Sequence, residues 1–236
     1  MDKSVAKIAV FLLVAAVCSM TIANRFSMSS ALAAAPSAVP APVIDNALAP
    51  KPGQETAVFA GGCFWGIQAV FQHVKGVKSA VSGYAGGTVA SPSYEEVSSG
   101  TTGHAESVRV IFDPSQVSYG TLLRVFFSVA HDPTQLNRQG PDVGTQYRSE
   151  VFYTNTAQER IAKSYIDQLS KAKVYTRPIV TRVSKLNAFN VAESYHQNYA
   201  NIHPNDPYIR FNDAPKVAAL KSDLSSLYKE ELSAWK

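Results

Sequence analysis

The chain has 236 residues, of which 46% are hydrophobic, and a formal net charge of +4. This composition is that of a globular protein with a buried core, and the sequence lacks the dense basic run that nucleic-acid binding requires. Of the two cysteines, Cys18 and Cys63, only Cys63 lies in the part predicted to fold, which excludes an internal disulfide framework there.

The N-terminus has the pattern of a secretory signal peptide. Lys3 and Lys7 precede a hydrophobic run at 8–23, and small residues that are typical of a cleavage signal follow at 31–33. Residues 1–33 are therefore predicted to export the protein to the periplasm or cell envelope, or to anchor it in the membrane if the leader stays uncleaved. Residues 34–54 are rich in Ala and Pro and predict a disordered linker. Residues 55–236 have the length of one catalytic domain.

Strands and helices alternate along this domain. The order of the first six elements, β-α-β-β-α-β, is that of a ferredoxin-like fold. They are predicted at 56–60, 64–74, 77–84, 106–112, 119–130 and 149–153. Further elements are a helix opened by a capping box at 156–159 and running to 171, a strand at 179–183, a short helix at 193–199 and an amphipathic helix at 214–235. The class is α+β: a two-layer sandwich with a mixed or antiparallel sheet, long loops and added helices.

Cys63 stands at the junction between the first strand and the first helix. It lies in the run Gly61-Gly62-Cys63-Phe64-Trp65-Gly66. Unpaired N–H groups and the macrodipole at a helix N-terminus stabilise a thiolate. The position therefore predicts a nucleophile, although free cysteines are often buried structural residues.

A cysteine hydrolase or transferase would also need a histidine as its base. His104 and His196 are the candidates, whereas His73 is ten residues along the helix that Cys63 opens and so about 15 Å away. No cysteine and histidine have the spacing of a zinc site, and no metal is predicted. A thiol peroxidase and a non-catalytic module that binds methionine-rich peptides are further alternatives. Substrate tests separate the enzymes, and replacement of Cys63 separates them from the binding module.

Other side chains with useful chemistry follow glycine-containing loops. Glu106 begins a core strand, where burial would raise its pKa and keep it protonated. Tyr94 and Tyr147 are loop tyrosines with donor hydroxyls, and Asp142 lies in the long polar loop 140–148. Long loops held between regular elements often build sites.

Six short blocks occur together and in a fixed order. They are Gly61-Gly62-Cys63-Phe64-Trp65-Gly66, Gly83-Tyr84-Ala85-Gly86-Gly87, Gly103-His104-Ala105-Glu106, His131-Asp132-Pro133, Gly144-Thr145-Gln146-Tyr147-Arg148 and His196-Gln197-Asn198-Tyr199. With these blocks the chain resembles the peptide methionine sulfoxide reductase A family over residues 55–210.

The resemblance implies reduction of methionine S-sulfoxide, free or in proteins, to methionine. Cys63 thiolate would attack the sulfoxide sulfur, and Glu106 would donate a proton to the oxygen. Tyr94 and Tyr147 would hold the same oxygen through their hydroxyls. The remaining implied roles are an apolar wall for the substrate methyl group at Phe64 and Trp65, a polar position at Asp142, and support from His196 and Tyr199.

One feature departs from the family pattern. Many members carry a resolving cysteine in the C-terminal tail or before the Gly-Cys-Phe-Trp block, but residues 34–62 and 212–236 contain none. The resemblance therefore implies a sulfenic acid at Cys63 that an external thiol recycles, from thioredoxin or of the glutathione and glutaredoxin type, with no bound cofactor. A monomer acting on oxidised proteins, methionine sulfoxide peptides or free methionine sulfoxide is expected.

Overall fold

The computed structural model describes residues 38–235. The predicted signal peptide at 1–33 and Cys18 lie outside the described residues. Within 38–235, no helix has both the length and the apolar character that a membrane crossing requires.

The described residues form a six-stranded sheet, a two-stranded hairpin and a set of helices. The strands are β1 (Glu55–Gly61), β2 (Val77–Ala85), β3 (Ala105–Phe112), β4 (Arg138–Gln139), β5 (Asp142–Val143), β6 (Ser149–Tyr153), β7 (Arg182–Lys185) and β8 (Phe189–Val191). The α-helices are α1 (Phe64–Gln72), α2 (Tyr94–Ser98), α3 (Tyr119–Val125), α4 (Thr156–Lys171), α5 (Tyr199–Ile202) and α6 (Ala214–Asp223).

The sheet is mixed and has the order β7-β6-β1-β3-β2-β8. Its neighbouring strands are antiparallel except for β6 and β7, which run parallel. The inner strands β6-β1-β3-β2, together with α1 and α3, form the β-α-β-β-α-β core of a ferredoxin-like fold. The predicted α+β class is confirmed.

One face of the sheet carries the main hydrophobic core. Side chains alternate along β1, so that Phe59 points into this core while Val58 lies on the opposite face. The Phe59 ring stacks at 5.0 Å from Phe71 of α1 and at 5.0 Å from Phe126, which follows α3. These contacts hold α1 against the sheet and place its first turn beside the end of β1, where Cys63 lies.

Residues 38–54 do not form the disordered linker that their composition predicts. They run as an extended segment against α3 and α4. Val39 is 1% exposed, and its carbonyl accepts a hydrogen bond of 2.8 Å from Nε of Arg124. Asp45 accepts a bond of 2.9 Å from the backbone N–H of Gly120, in the first turn of α3. Composition predicts disorder where few side chains can anchor a segment, but here a buried valine, an aspartate at the start of α3 and backbone groups bonded to α4 hold the segment in place.

The predicted helix at 214–235 is also wrong in its second half, because α6 ends at Asp223. Leu224 leaves the helical conformation at φ −128° and ψ 41°. The chain beyond it runs alongside β2, where the N–H of Ala80 donates a 2.9 Å hydrogen bond to the carbonyl of Ala234. Leu224 is nevertheless 4% exposed, so the apolar spacing reflected core burial and not a continuous helix.

Smaller differences concern the ends of elements. Helix α4 spans the predicted residues, but its N-cap is Asn155, whose side chain accepts a bond of 2.9 Å from the N–H of Gln158. The capping box expected at 156–159 is therefore wrong. The strand expected at 179–183 lies at Arg182–Lys185. The helix expected at 193–199 is a 3₁₀ turn at Ser194–His196 followed by α5.

Candidate active site

Cys63 is the N-cap residue of α1, as its position between a strand and a helix predicts. Gly62 makes the turn out of β1 with φ +100°, and a Cβ there would come within 2.5 Å of the Gln139 side chain. Only glycine therefore fits both the conformation and the space. The turn leaves Cys63 8% exposed, at the edge of the core.

The surroundings of Cys63 favour the neutral thiol in the resting protein. Burial raises the pKa of the thiol well above its usual value, and negative charge on Glu106 and then on Asp213 raises it further. The backbone N–H of Trp65 and the charge of Lys216 lower the pKa, but these effects are smaller. The expectation that the start of the helix alone would hold a thiolate is therefore corrected: desolvation outweighs the helix N-terminus.

Glu106 lies beside the start of α1 and is 2% exposed. Its Oε2 accepts a hydrogen bond of 3.0 Å from the backbone N–H of Phe64, the residue after Cys63. Burial raises the pKa of Glu106 to about 8, although the bond from Phe64 opposes that shift. The carboxyl group is thus mostly protonated at neutral pH, as its place at the start of a buried strand predicts.

Tyr94 and Tyr147 lie close to this pair. Tyr94 begins α2, and Tyr147 ends the 3₁₀ turn Thr145–Tyr147. Burial raises the pKa of both phenols, and negative charge on Glu106 and on Cys63 raises it further. Both hydroxyls therefore remain protonated and can donate hydrogen bonds.

Glu193 fixes the position of Tyr94 and was not predicted from the sequence. Its Oε1 accepts a hydrogen bond of 2.9 Å from the backbone N–H of Tyr94. Its Oε2 accepts another, of 2.8 Å, from the hydroxyl of Tyr84 on β2. Glu193 thus ties α2, and with it Tyr94, to the sheet.

Trp65 forms an aromatic wall beside Cys63. Its ring stacks on Tyr199 with centroids 3.8 Å apart, and its Nε1 donates a bond of 3.2 Å to Nδ1 of His196. His196 is 2% exposed and also packs against Phe64 at 5.1 Å. Phe64 itself has no exposed surface, so Trp65 is the accessible part of this wall.

Asp142 contributes to the same site from the β4–β5 hairpin. Its Oδ2 accepts a hydrogen bond from the hydroxyl of Tyr208, whose ring meets Trp65 edge-on at 5.9 Å. The sequence did not single out Tyr208, because the polar residues that precede it show no periodic apolar pattern. The structure thus brings together every residue to which the family resemblance assigns a role and adds Glu193, Tyr208, Asp213 and Lys216.

Among residues 38–235, no hydrogen bond joins a histidine to Cys63, as the Cys–His pair of a cysteine hydrolase would require. Both ring nitrogens of His104 are engaged by backbone groups, at 3.2 Å from the N of Gly87 and 2.8 Å from the O of Val89. Nδ1 of His196 accepts from Trp65. His104 therefore shapes the loop before β3, and His196 orients the aromatic wall.

Comparisons with known proteins agree with this geometry. The model of the family described as peptide methionine sulfoxide reductase matches residues 55–227. The chain belongs to this family. A relative from Mesorhizobium japonicum, "Peptide methionine sulfoxide reductase MsrA 2", is 61% identical over 76% of this chain and 92% of its own length. The protein of the same name from a Synechocystis strain is 48% identical over 82% of this chain and 91% of its own.

Solved structures of the family share the fold. Methionine sulfoxide reductase A of Corynebacterium diphtheriae superposes with a TM-score of 0.57 at 36% identity, over 66% of this chain and 77% of that one. The reduced form of Mxr1 from Saccharomyces cerevisiae gives a TM-score of 0.56 at 31% identity, over 67% of this chain and 94% of that one. As a member of the family, the protein is a peptide-methionine (S)-S-oxide reductase.

Proposed function

We propose that Cys63 reduces methionine S-sulfoxide by direct attack on the sulfoxide sulfur, with Glu106 as the proton donor. The observation that carries this assignment is the bond between the N–H of Phe64 and the carboxyl group of Glu106. It fixes a protonated acid beside the first turn of the helix that presents the thiol. A sulfoxide group bound between Glu106 and Cys63 would have its oxygen next to the acid and its sulfur next to the thiol.

The phenols assist the same oxygen. Sulfoxide reduction places negative charge on the oxygen before it is protonated, so fixed donors around it lower the barrier. Tyr94 and Tyr147 carry such donors, and both phenols are near enough to Glu106 for its charge to raise their pKa. Their raised pKa keeps the protons on the phenols at neutral pH.

The step balances as a two-electron oxygen transfer. The Cys63 sulfur gives its electron pair to the substrate sulfur, and the oxygen takes up a proton from Glu106. The hydroxyl then passes from the substrate sulfur to the Cys63 sulfur to give a sulfenic acid. The bond between the two sulfur atoms breaks with its electron pair left on the substrate, which leaves as methionine. The proton of the thiol returns Glu106 to its acid form.

Recycling needs a thiol from outside the domain. One external thiol condenses with the sulfenic acid, releasing water and leaving a mixed disulfide on Cys63. A second thiol attacks that disulfide and restores Cys63. Thioredoxin or a thiol of the glutathione and glutaredoxin type fits this chemistry, because Cys63 is the only cysteine between residues 34 and 236.

The substrates are oxidised proteins, peptides and free methionine sulfoxide. Trp65, which stacks on Tyr199, offers an apolar surface to the substrate methyl group. This contact is the same whether the methionine sulfoxide is free, in a peptide or in a protein. The leader pattern at 1–33 supports export to the periplasm or cell envelope. The repair of oxidised exported proteins is the resulting role.

Replacement of the nucleophile tests the proposal. Cys63→Ser should lose sulfoxide reduction, since a serine hydroxyl is a far weaker nucleophile than a thiolate. Reduction of a sulfoxide peptide with a small dithiol is the measurement, and circular dichroism checks the fold. Activity above roughly one hundredth of the parent's, the least expected from the loss of a catalytic group, would contradict the proposal.

A further inference from the structure

We propose that Asp213 and Lys216 form a buried ion pair that positions the first turn of α1 and sets the charge experienced by the Cys63 sulfur. The proposal rests on Cys63 being the nucleophile, as proposed above. Asp213 ends the π-helical turn that precedes α6, and Lys216 lies in the first turn of α6. Neither residue takes part in the reaction itself, so both are positioning residues.

The pair lies directly behind the catalytic turn. Asp213 has no exposed surface, and its Oδ1 accepts a hydrogen bond of 2.9 Å from Nζ of Lys216. A Cβ on residue 66 would come within 2.1 Å of that same Oδ1 and within 2.9 Å of Nζ. Gly66 is therefore the residue that allows the carboxylate to lie against α1, three positions after Cys63.

The aspartate has hydrogen-bonding capacity that its own surroundings leave unused. Oδ2 of Asp213 is buried without a hydrogen-bond partner among the described residues. A buried carboxylate with an oxygen that lacks a hydrogen-bond partner destabilises the folded protein unless a cation compensates for its charge. Lys216 is the cation within reach, and its side chain is only 17% exposed. The two charges therefore depend on each other.

Both charges act on the reactive groups. Negative charge on Asp213 raises the pKa of Cys63 and of Glu106, whereas Lys216 lowers the pKa of Cys63. Asp213 has a raised pKa itself, because burial outweighs the attraction of Lys216. The other titratable groups that face Cys63 or the pair are Asp142, Asp206, His131, Tyr94, Tyr147, Tyr199 and Tyr208.

This arrangement predicts opposite consequences for the two members of the pair. Asp213→Asn leaves Lys216 uncompensated beside Cys63, which favours the thiolate. Removal of Lys216 as well takes that charge away, so the double variant should behave more like the parent. Lys216→Met alone removes the positive charge that lowers the pKa of Cys63, so it should not favour the thiolate.

The experiment is the pH dependence of Cys63 alkylation by iodoacetamide, followed on the peptide that contains Cys63 in the full chain. Asp213→Asn should move the midpoint to lower pH by about one unit or more, the size of effect expected from one close charge. Asp213→Asn with Lys216→Met should reverse part of this shift, because Lys216 lowers the pKa of Cys63 by less than Asp213 raises it. Lys221→Met is the matched control, because Lys221 lies on the same helix in an exposed pair with Glu230 and should leave the midpoint unchanged.

Two outcomes would overturn the proposal: an unchanged midpoint in a folded Asp213→Asn variant, or a shift that is no smaller after Lys216 is removed. If Asp213→Asn does not fold, a downward shift in Lys216→Met overturns it equally. Alkylation needs no sulfoxide, so its result is independent of the proposed reaction. If Asp213→Asn loses sulfoxide reduction but keeps the alkylation profile of the parent, the proposed role of the pair is contradicted while the proposed role of Cys63 is unaffected.

Discussion

The backbone N–H of Phe64 donates a 3.0 Å hydrogen bond to Oε2 of Glu106, a residue 42 positions further along the chain. The bond joins the first residue of α1 to the start of β3. It holds the Glu106 carboxyl group beside the helix that carries Cys63, and this contact does not involve the surrounding loops. The proposed proton donor and the proposed nucleophile are therefore placed by regular secondary structure and not by a flexible loop.

Glu106→Gln should slow sulfoxide reduction by roughly 10²–10⁴-fold, the usual contribution of a general acid. Glutamine can still accept the bond from Phe64, so the geometry is kept while the acidic proton is lost. Single-turnover kinetics with a sulfoxide peptide measure the effect. Glu95→Gln changes an exposed carboxyl group on α2 and serves as the control. An unchanged rate in Glu106→Gln would remove this residue from the mechanism.

The activity of the parent enzyme should fall as the pH rises through about 8. Glu106 holds its proton below its pKa of about 8 and loses it above. Its carboxylate cannot donate a proton to the oxygen, and its charge raises the pKa of Cys63 as well. The measurement is the pH profile of the single-turnover rate. Glu106→Gln has no such titration and should lack this alkaline limb.

The sequence predicted the elements that carry Cys63 and Glu106 because their signals are local. A glycine pair marks the turn before Cys63, and apolar periodicity marks α1 and β3. Glu193, Tyr208 and Asp213 were missed because residues 193–213 carry no clear periodic apolar pattern. Their places are decided by tertiary contacts with β2, Trp65 and Gly66.

The charge state of Cys63 shows the same limit. A position at a helix N-terminus favours a thiolate, and the sequence contains that information. Burial and the charges of Glu106 and Asp213 oppose it, and they depend on residues that are distant along the chain. The ordered segment 38–54 is a further case, because the start of α3 that anchors Asp45 cannot be recognised from an alanine- and proline-rich composition.

Glu106 should also make the stability of the protein depend on pH. Its pKa is raised from 4.5 to about 8 in the folded state, so between these values the unfolded chain loses a proton that the folded protein keeps. The free energy of unfolding should then decrease by up to about 1.4 kcal/mol per pH unit as the pH rises. Below 4.5 this penalty is absent.

Chemical denaturation of the parent and of Glu106→Gln at several pH values measures this effect. The variant should gain stability relative to the parent as the pH rises from 4.5 to about 8. Glu231→Gln, which changes an exposed carboxyl group in the tail, should not. Parallel pH dependence of Glu106→Gln and the parent would show that Glu106 is not buried as an acid.

Trp65→Ala should weaken recognition of the substrate by about 1–3 kcal/mol, the range for a small apolar group. The substitution removes the ring that stacks on Tyr199 at 3.8 Å. Trp65→Phe keeps an apolar ring but loses the N–H that binds His196, and it should have the smaller effect. Steady-state kinetics with a sulfoxide peptide measure both variants. Equal kcat/KM for the parent and Trp65→Ala would reduce Trp65 to a packing residue.

Recycling should require a thiol from another molecule. After one turnover without reductant, Cys63 should react with a sulfenic-acid probe, and the protein should remain monomeric on a non-reducing gel. Addition of glutathione or of a thioredoxin variant with a single active-site cysteine should trap a mixed disulfide at Cys63. A disulfide between Cys18 and Cys63 in the full chain would refute this prediction.

The most direct test of the central claim is a reductant-free turnover with each epimer of a methionine sulfoxide peptide. Reduced full-length protein is mixed with one equivalent of the S or the R epimer, and methionine and the oxidation state of Cys63 are quantified by mass spectrometry. The S epimer should give close to one methionine and one oxidised Cys63 per protein, and the R epimer should give neither. Equal reduction of both epimers, or methionine formed while Cys63 stays a thiol, would contradict oxygen transfer to Cys63.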